Sequence, residues 1–90
     1  MDKDAGTIAA LMIRFEKYRL PRAMRMLDRV NEGETLMDND IAFLKRVFND
    51  ARGNQQLVKR NPEYNELVSR ALALYEEIIE KATENEKARS

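Results

Sequence analysis

The chain contains no cysteine, no histidine and no tryptophan. Without cysteine there is no disulfide, no thiolate nucleophile and no cysteine-ligated zinc. Without histidine the commonest general base near neutral pH and the commonest transition-metal ligand are both missing. Glycine and proline are scarce, at three and two, so turns are few and the elements between them long. Runs of β-branched and aromatic residues with period two are missing too, which leaves helices. No segment approaches the roughly eighteen apolar residues that a membrane span requires. The opening residues MDKDAGTIAALMIRF are acidic ahead of a short apolar run, the reverse of a secretory n-region. The expectation is a cytoplasmic protein with no membrane association.

What is present is charge and helical periodicity. Of 90 residues, 43% are apolar and 36% charged, with 16 basic and 16 acidic side chains. One domain over 1–90 is expected, with a thin core. The charge is uneven. Arg14, Lys17, Arg19, Arg22, Arg25 and Arg29 crowd one stretch, whereas Glu76, Glu77, Glu80, Glu84 and Glu86 crowd another.

Read in order, 1–6 is polar and expected to fray, with Asp4 or Thr7 as the first N-cap. Ile8, Leu11, Met12, Phe15 and Tyr18 form a stripe at helical spacing, with Ile13 off it. Pro21 is expected to end this helix and to open a second, short one to about Asn31. There Ala23, Met26, Leu27 and Val30 face inward, and Gly33 follows as a stop. Asp38 caps a third helix to about Arg60, with Ile41, Leu44, Phe48, Ala51 and Val58 on its inner face. Gln55 falls in that seam and Gly53 beside it. A continuous or kinked helix is favoured, because a mid-helix glycine costs only about 1 kcal/mol; a break at Gly53 is the rival. Asn61-Pro62-Glu63 restarts the chain, and a fourth helix carries apolar residues from Tyr64 to Ala82 over an arc of roughly 160°. Such an arc fits two helical neighbours, or one neighbour and a second subunit. Residues 85–90 are expected to fray. The fold expected is all-α: a small four-helix bundle on a long antiparallel hairpin, about 38–60 and 62–84, with two shorter N-terminal helices packed across it.

Chemistry is sparse. Ser69, Ser90, Thr7, Thr35 and Thr83 stand in no strand-turn-helix or Gly-rich context that would activate a hydroxyl. Glu76, Glu77 and Glu80 read as a solvated face. Asp38, Asn39 and Asp40 lack the alternating loop, central glycine and closing Glu of a calcium site and read as capping. No catalytic residue, metal site or cofactor is assigned, and the expected class is non-enzymatic. Arg22, Arg25 and Arg29 share one face at i, i+3 and i+7, and could pair with protein carboxylates or with phosphates. The balanced charge and the lack of an aromatic platform beside them argue against nucleic acid. The function expected is a helical protein–protein interaction module, a homodimer, docking through Leu67, Leu74 and Ile79 with Arg22, Arg25 and Arg29. A small nucleic-acid-binding or regulatory protein using those arginines is the alternative. Three tyrosines, Tyr18, Tyr64 and Tyr75, are placed at the core margins with their hydroxyls outward.

Overall fold

A computed structural model describes residues 3–89. The chain is all-α: helices cover nearly all of the described residues and no strand occurs among them. They are α1 (Lys3–Arg14), α2 (Leu20–Asn31), α3 (Asp38–Gly53), α4 (Gln55–Arg60) and α5 (Pro62–Arg89), with a π-helical turn, Phe15–Arg19, joining α1 to α2. The molecule measures 54 × 22 × 19 Å. None of its helices is long and apolar enough to cross a membrane, among the described residues.

Two boundaries differ from the sequence expectation. Pro21 does not end a helix. Arg14, Arg19 and Leu20 all keep right-handed helical dihedrals, so α1 and α2 form one rod. The missing N–H and the ring of proline would disturb an ordinary turn at the carbonyl four residues earlier. Here the turn ahead of it is widened, and the Leu20 N–H donates to the Phe15 carbonyl five residues back. The extra residue shifts the helical phase, which is why Tyr18, expected on the inner stripe, is 67% exposed. Conversely, the expected helix over 38–60 is interrupted. The Asn54 N–H caps α3 on the carbonyls around Ala51, and the Asn54 amide also donates to the Asp50 carbonyl at 2.8 Å. Gln55 is exposed and holds no seam. The interruption is a single residue, Asn54, one position past Gly53, which itself ends α3.

The core gathers Ala23, Met26 and Val30 from α2, Phe43, Leu44 and Val47 from α3, and Tyr75, Ile78 and Ala82 from α5. Burying a Met or Ile side chain contributes about 1.5–3 kcal/mol, so this small set carries most of the hydrophobic stabilisation. The α2 face is the one expected, with Leu27 half-buried beside it. On α3 the face is rotated: Ile41, expected inside, is 41% exposed, and Phe43 and Val47 take the buried positions. That rotation is set by Asp40, which points inward and is 2% exposed. Its carboxylate accepts from Arg29 at 2.9 and 3.0 Å and from the Met37 N–H at 3.0 Å. Met37 is therefore the N-cap position, and Asp38, expected there, lies in the first turn.

Gly33 does stop α2, with φ of 95°. Its N–H bonds the Val30 carbonyl and the Glu34 N–H bonds the Arg29 carbonyl, both at 3.1 Å, a glycine-terminated Schellman arrangement that only glycine enters without strain. The far end of α5 closes over this turn. The Asn85 amide donates to the carbonyls of Val30 and Glu34 at 2.8 and 2.7 Å, and Arg89 to that of Gly33 at 3.1 Å. Residues 85–89, expected to fray, are thus helical and anchored, as 3–6 are helical at the other end. Met1, Asp2 and Ser90, also within the expected frayed ends, lie outside the described residues, as does Ser90 as a hydroxyl candidate.

Candidate functional site

The rod is sealed at its α2 half and thinly covered at its α1 half. No residue of α1 is buried. Ala5, Gly6, Ala9 and Ala10 are exposed, leaving Ile8, Leu11 and Met12 half-buried as its only apolar cover. Asp4 fastens the start of α1 to the α4–α5 junction. Its carboxylate accepts from Arg60 at 2.9 and 3.0 Å and from the Asn61 amide at 3.1 Å. Those hydrogen bonds, Arg60 first, hold the Asp4 carboxyl below the usual carboxylate range. The expected N-cap role of Asp4 or Thr7 does not hold, because α1 already includes Lys3, ahead of both; Asn61 precedes α5, its carbonyl accepting from the Tyr64 and Asn65 N–H groups while its amide donates to Asp4 and to the Leu57 carbonyl.

Between α1, α3 and α5 lies an apolar cleft of about 210 Å³. Leu11, Met12 and Phe15 wall one side, Val47 and Ala51 a second, and Tyr64, Leu67, Val68, Ala71 and Leu72 the third. Two irregular points of the backbone meet on it: Phe15 and Arg19 bracket the π turn, and Asn54 marks the α3–α4 break. π turns are concentrated at functional sites. Arg19 and Asp50 also line the cleft and form an ion pair; their side chains are 24% and 47% exposed.

Tyr75 lines the same cleft and is 1% exposed. Its ring packs edge-on against Phe43 and Phe48, with centroids at 6.2 and 6.1 Å. Its hydroxyl is buried without a hydrogen-bond partner. Burial pushes its ionisation up, with the Arg19 charge opposing, and Tyr64 responds in the same sense for the same causes. The expectation of an outward hydroxyl at the core margin is therefore corrected for Tyr75. Packing between two phenylalanine rings draws it inside.

A second, shallower hollow of about 610 Å³ shares Ala51, Val58, Val68 and Leu72 with the cleft and opens over Phe48 and Ser69. Arg52 and Lys59 stand on its α3–α4 wall and Glu76 on its α5 wall.

The six residues singled out in the sequence do not come together. Arg29 is engaged by Asp40. Arg22 donates to the Asn39 carbonyl at 3.0 Å, with its guanidinium carbon 4.5 Å above the Phe43 ring. Only Arg25 of the three is exposed. Leu74 and Ile79 pack against the core, and Leu67 lines the cleft. α2, α3 and α4 all pack on α5, so its wide apolar arc is met by neighbours within the same chain. Sequence reading missed Arg19 and Asp50 as a pair, since nothing local links residues so far apart. Tyr64, Val68, Ala71 and Tyr75 did carry a signal, a single helical face at i, i+4, i+7 and i+11. Among the described residues, no group of three or more acidic side chains gathers as a metal site would need. Compared with protein-family models, with characterised proteins and with solved structures, the chain matches none.

Proposed function

We propose that this chain is a non-enzymatic, cytoplasmic helical interaction module that works as a homodimer, its second copy seated on the hollow between α3–α4 and α5. The observation that carries this reading is surface area. The chain exposes 6465 Å², whereas a compact monomer of its mass is expected to expose about 5,400 Å². The excess, about 1,000 Å², goes with the elongated 54 × 22 × 19 Å shape and leaves room for the ~800 Å² that one partner buries in a standard interface.

The chemistry of the hollow suits a self-complementary contact. A two-fold interface must carry both halves of every interaction in one patch. Here Arg52 and Lys59 face one wall and Glu76 the other. Phe48 beside them is half-buried, and Ile41, seven residues earlier on the same face of α3, is 41% exposed. Arg22 and Arg29, bound to α3, support a structural role for the basic face over a phosphate-binding one.

Solution mass by light scattering or sedimentation tests the reading. Twice the chain mass is expected at high micromolar concentration, with Ile41→Glu returning it to one chain at unchanged helicity. Ile41 is exposed, so that change leaves the fold intact. A strict monomer overturns the proposal, as does a dimer indifferent to Ile41→Glu together with Lys59→Glu.

A further inference from the structure

We propose that the cleft between α1, α3 and α5 binds a linear monocarboxylate of about eight carbons, its chain lying along the α5 wall and its carboxylate at Arg14. This goes beyond the dimer reading and does not depend on it. A binding titration and a mass measurement fail separately.

Size and shape set the chain. At about 210 Å³ the cleft exceeds the roughly 150 Å³ apolar cavity that accepts the six carbons of benzene, and in proportion it holds about eight. Its lining on α5 runs from Tyr64 to Tyr75, about 16 Å along the helix at 1.5 Å per residue. So small a volume spread over so long a wall is a channel, which suits an extended alkyl chain better than a ring. Leu11, Phe15, Leu67 and Val68 supply apolar surface, against which each methylene gains by leaving water.

The head group follows from charge. The charged side chains that line the cleft are Arg14, Arg19 and Asp50. Arg19 and Asp50 pair with each other, whereas Arg14 is exposed and joins no ion pair among the described residues. The lining therefore carries one uncompensated positive charge. The α1–α2 rod runs parallel to α5, tied to it by Asp4 at Asn61 and by Val30 at Asn85. By that alignment Arg14 comes level with Ala71, in mid-cleft, and it shares its helix face with Leu11 and Phe15. A guanidinium holds a planar carboxylate through two parallel N–H donors. One negative charge matches Arg14. A second, as on a phosphate monoester, would face the Asp50 carboxylate.

Entry is also provided for. No residue of α1 is buried, and helical segments with few buried contacts open at low free energy. The α1 wall can therefore admit an alkyl chain without disturbing the α2–α3–α5 core.

The test uses octanoate, 1-octanol, which has the same chain without the charge, and octyl phosphate. Each is titrated as a monomer into the full chain by NMR chemical-shift mapping. Octanoate is expected to shift Leu67, Val68 and Ala71 and to bind more tightly than octyl phosphate. Arg14→Gln is expected to weaken octanoate by roughly three- to fivefold, the worth of one exposed ion pair, while leaving 1-octanol within about twofold of wild type. Both Arg14 and Lys17 are exposed, so neither substitution disturbs the fold. Lys17→Gln, next to the cleft but outside its lining, is expected to leave octanoate within about twofold of wild type. Ala71→Leu, which narrows the channel, is expected to weaken octanoate and 1-octanol together. The proposal is overturned if octanoate shifts none of the α5 wall at millimolar concentration, or if Arg14→Gln leaves octanoate unchanged or weakens 1-octanol as much. It is equally overturned if Lys17→Gln matches Arg14→Gln, if octyl phosphate binds more tightly than octanoate, or if Ala71→Leu leaves both affinities unchanged, since the site then lies elsewhere.

Discussion

Arg29 and Asp40 face each other across the turn between α2 and α3, one guanidinium nitrogen lying 2.9 and 3.0 Å from the two carboxylate oxygens. The carboxylate is almost wholly buried and the guanidinium about a quarter exposed. Together with the Met37 N–H, this contact fixes which face of α3 enters the core. Arg29→Ala strands a buried carboxylate and is expected to cost about 2–3 kcal/mol, less than a fully buried pair would because Arg29 is partly solvated. Denaturant unfolding of Arg29→Ala, Asp40→Ala and the double variant measures it. The double variant should lose less than the sum of the single changes, and strict additivity would show that the contact is not energetically coupled.

Tyr75→Phe is expected to stabilise the chain. The hydroxyl is desolvated with no bond in return, a cost of about 1–3 kcal/mol, and the ring contacts with Phe43 and Phe48 remain. Removing it should raise stability by about 1 kcal/mol in chemical unfolding. A loss of stability would mean the hydroxyl has a partner in solution.

Gly53→Ala addresses the interruption between α3 and α4. A Cβ built there meets nothing within 4 Å, and Gly53 does not sit at positive φ. The substitution should stabilise by about 0.4–1 kcal/mol through the unfolded chain and helix propensity, leaving the Asn54 bond to Asp50 in place. Thermal unfolding checks the sign.

Asp4 gives a pH dependence. Its carboxyl is depressed in the folded chain by Arg60 and Asn61, below the unfolded value of about 3.9. The folded state therefore binds this proton less tightly than the unfolded one. The clasp contributes in full above the unfolded value and is lost as pH falls through the lower, folded one. Amide exchange in α1, corrected for the intrinsic pH effect, should rise over that window while the α2–α3–α5 core stays protected. Asp4→Asn should loosen α1 already at neutral pH. Unchanged α1 protection in that variant would rule the clasp out.

The helical class, the inner face of α2 and the glycine stop at Gly33 were all legible from spacing and from residue chemistry. Each is decided within a few residues. The register of α3 was not, because Ile41 and Phe43 are equally apolar. What chooses between them is Asp40 reaching Arg29 across a turn. The α1–α2 junction was misread for a related reason: Pro21 locally favours a helix end, and the alternative, widening the preceding turn, leaves no composition signature. Of the cleft, the wall with Leu11, Met12 and Phe15 and the α5 wall with Tyr64, Ala71 and Tyr75 could each be read as one face. Arg19 and Asp50 join it through folding alone.

The π turn at Phe15–Arg19 behaves as one residue inserted into an otherwise regular rod. Each residue of an α-helix turns the chain by about 100°, so this single extra residue sets the angular offset between the α1 stripe and the α2 stripe. Removing one residue there would change composition hardly at all, yet it would re-index α1 and carry Leu11 and Met12 away from Leu67 and Val68. The cleft is for that reason tolerant of many conservative replacements along α1 and intolerant of a change in chain length by one. In a lineage of such sequences, the count of residues between Phe15 and Pro21 would be held more tightly than their identities.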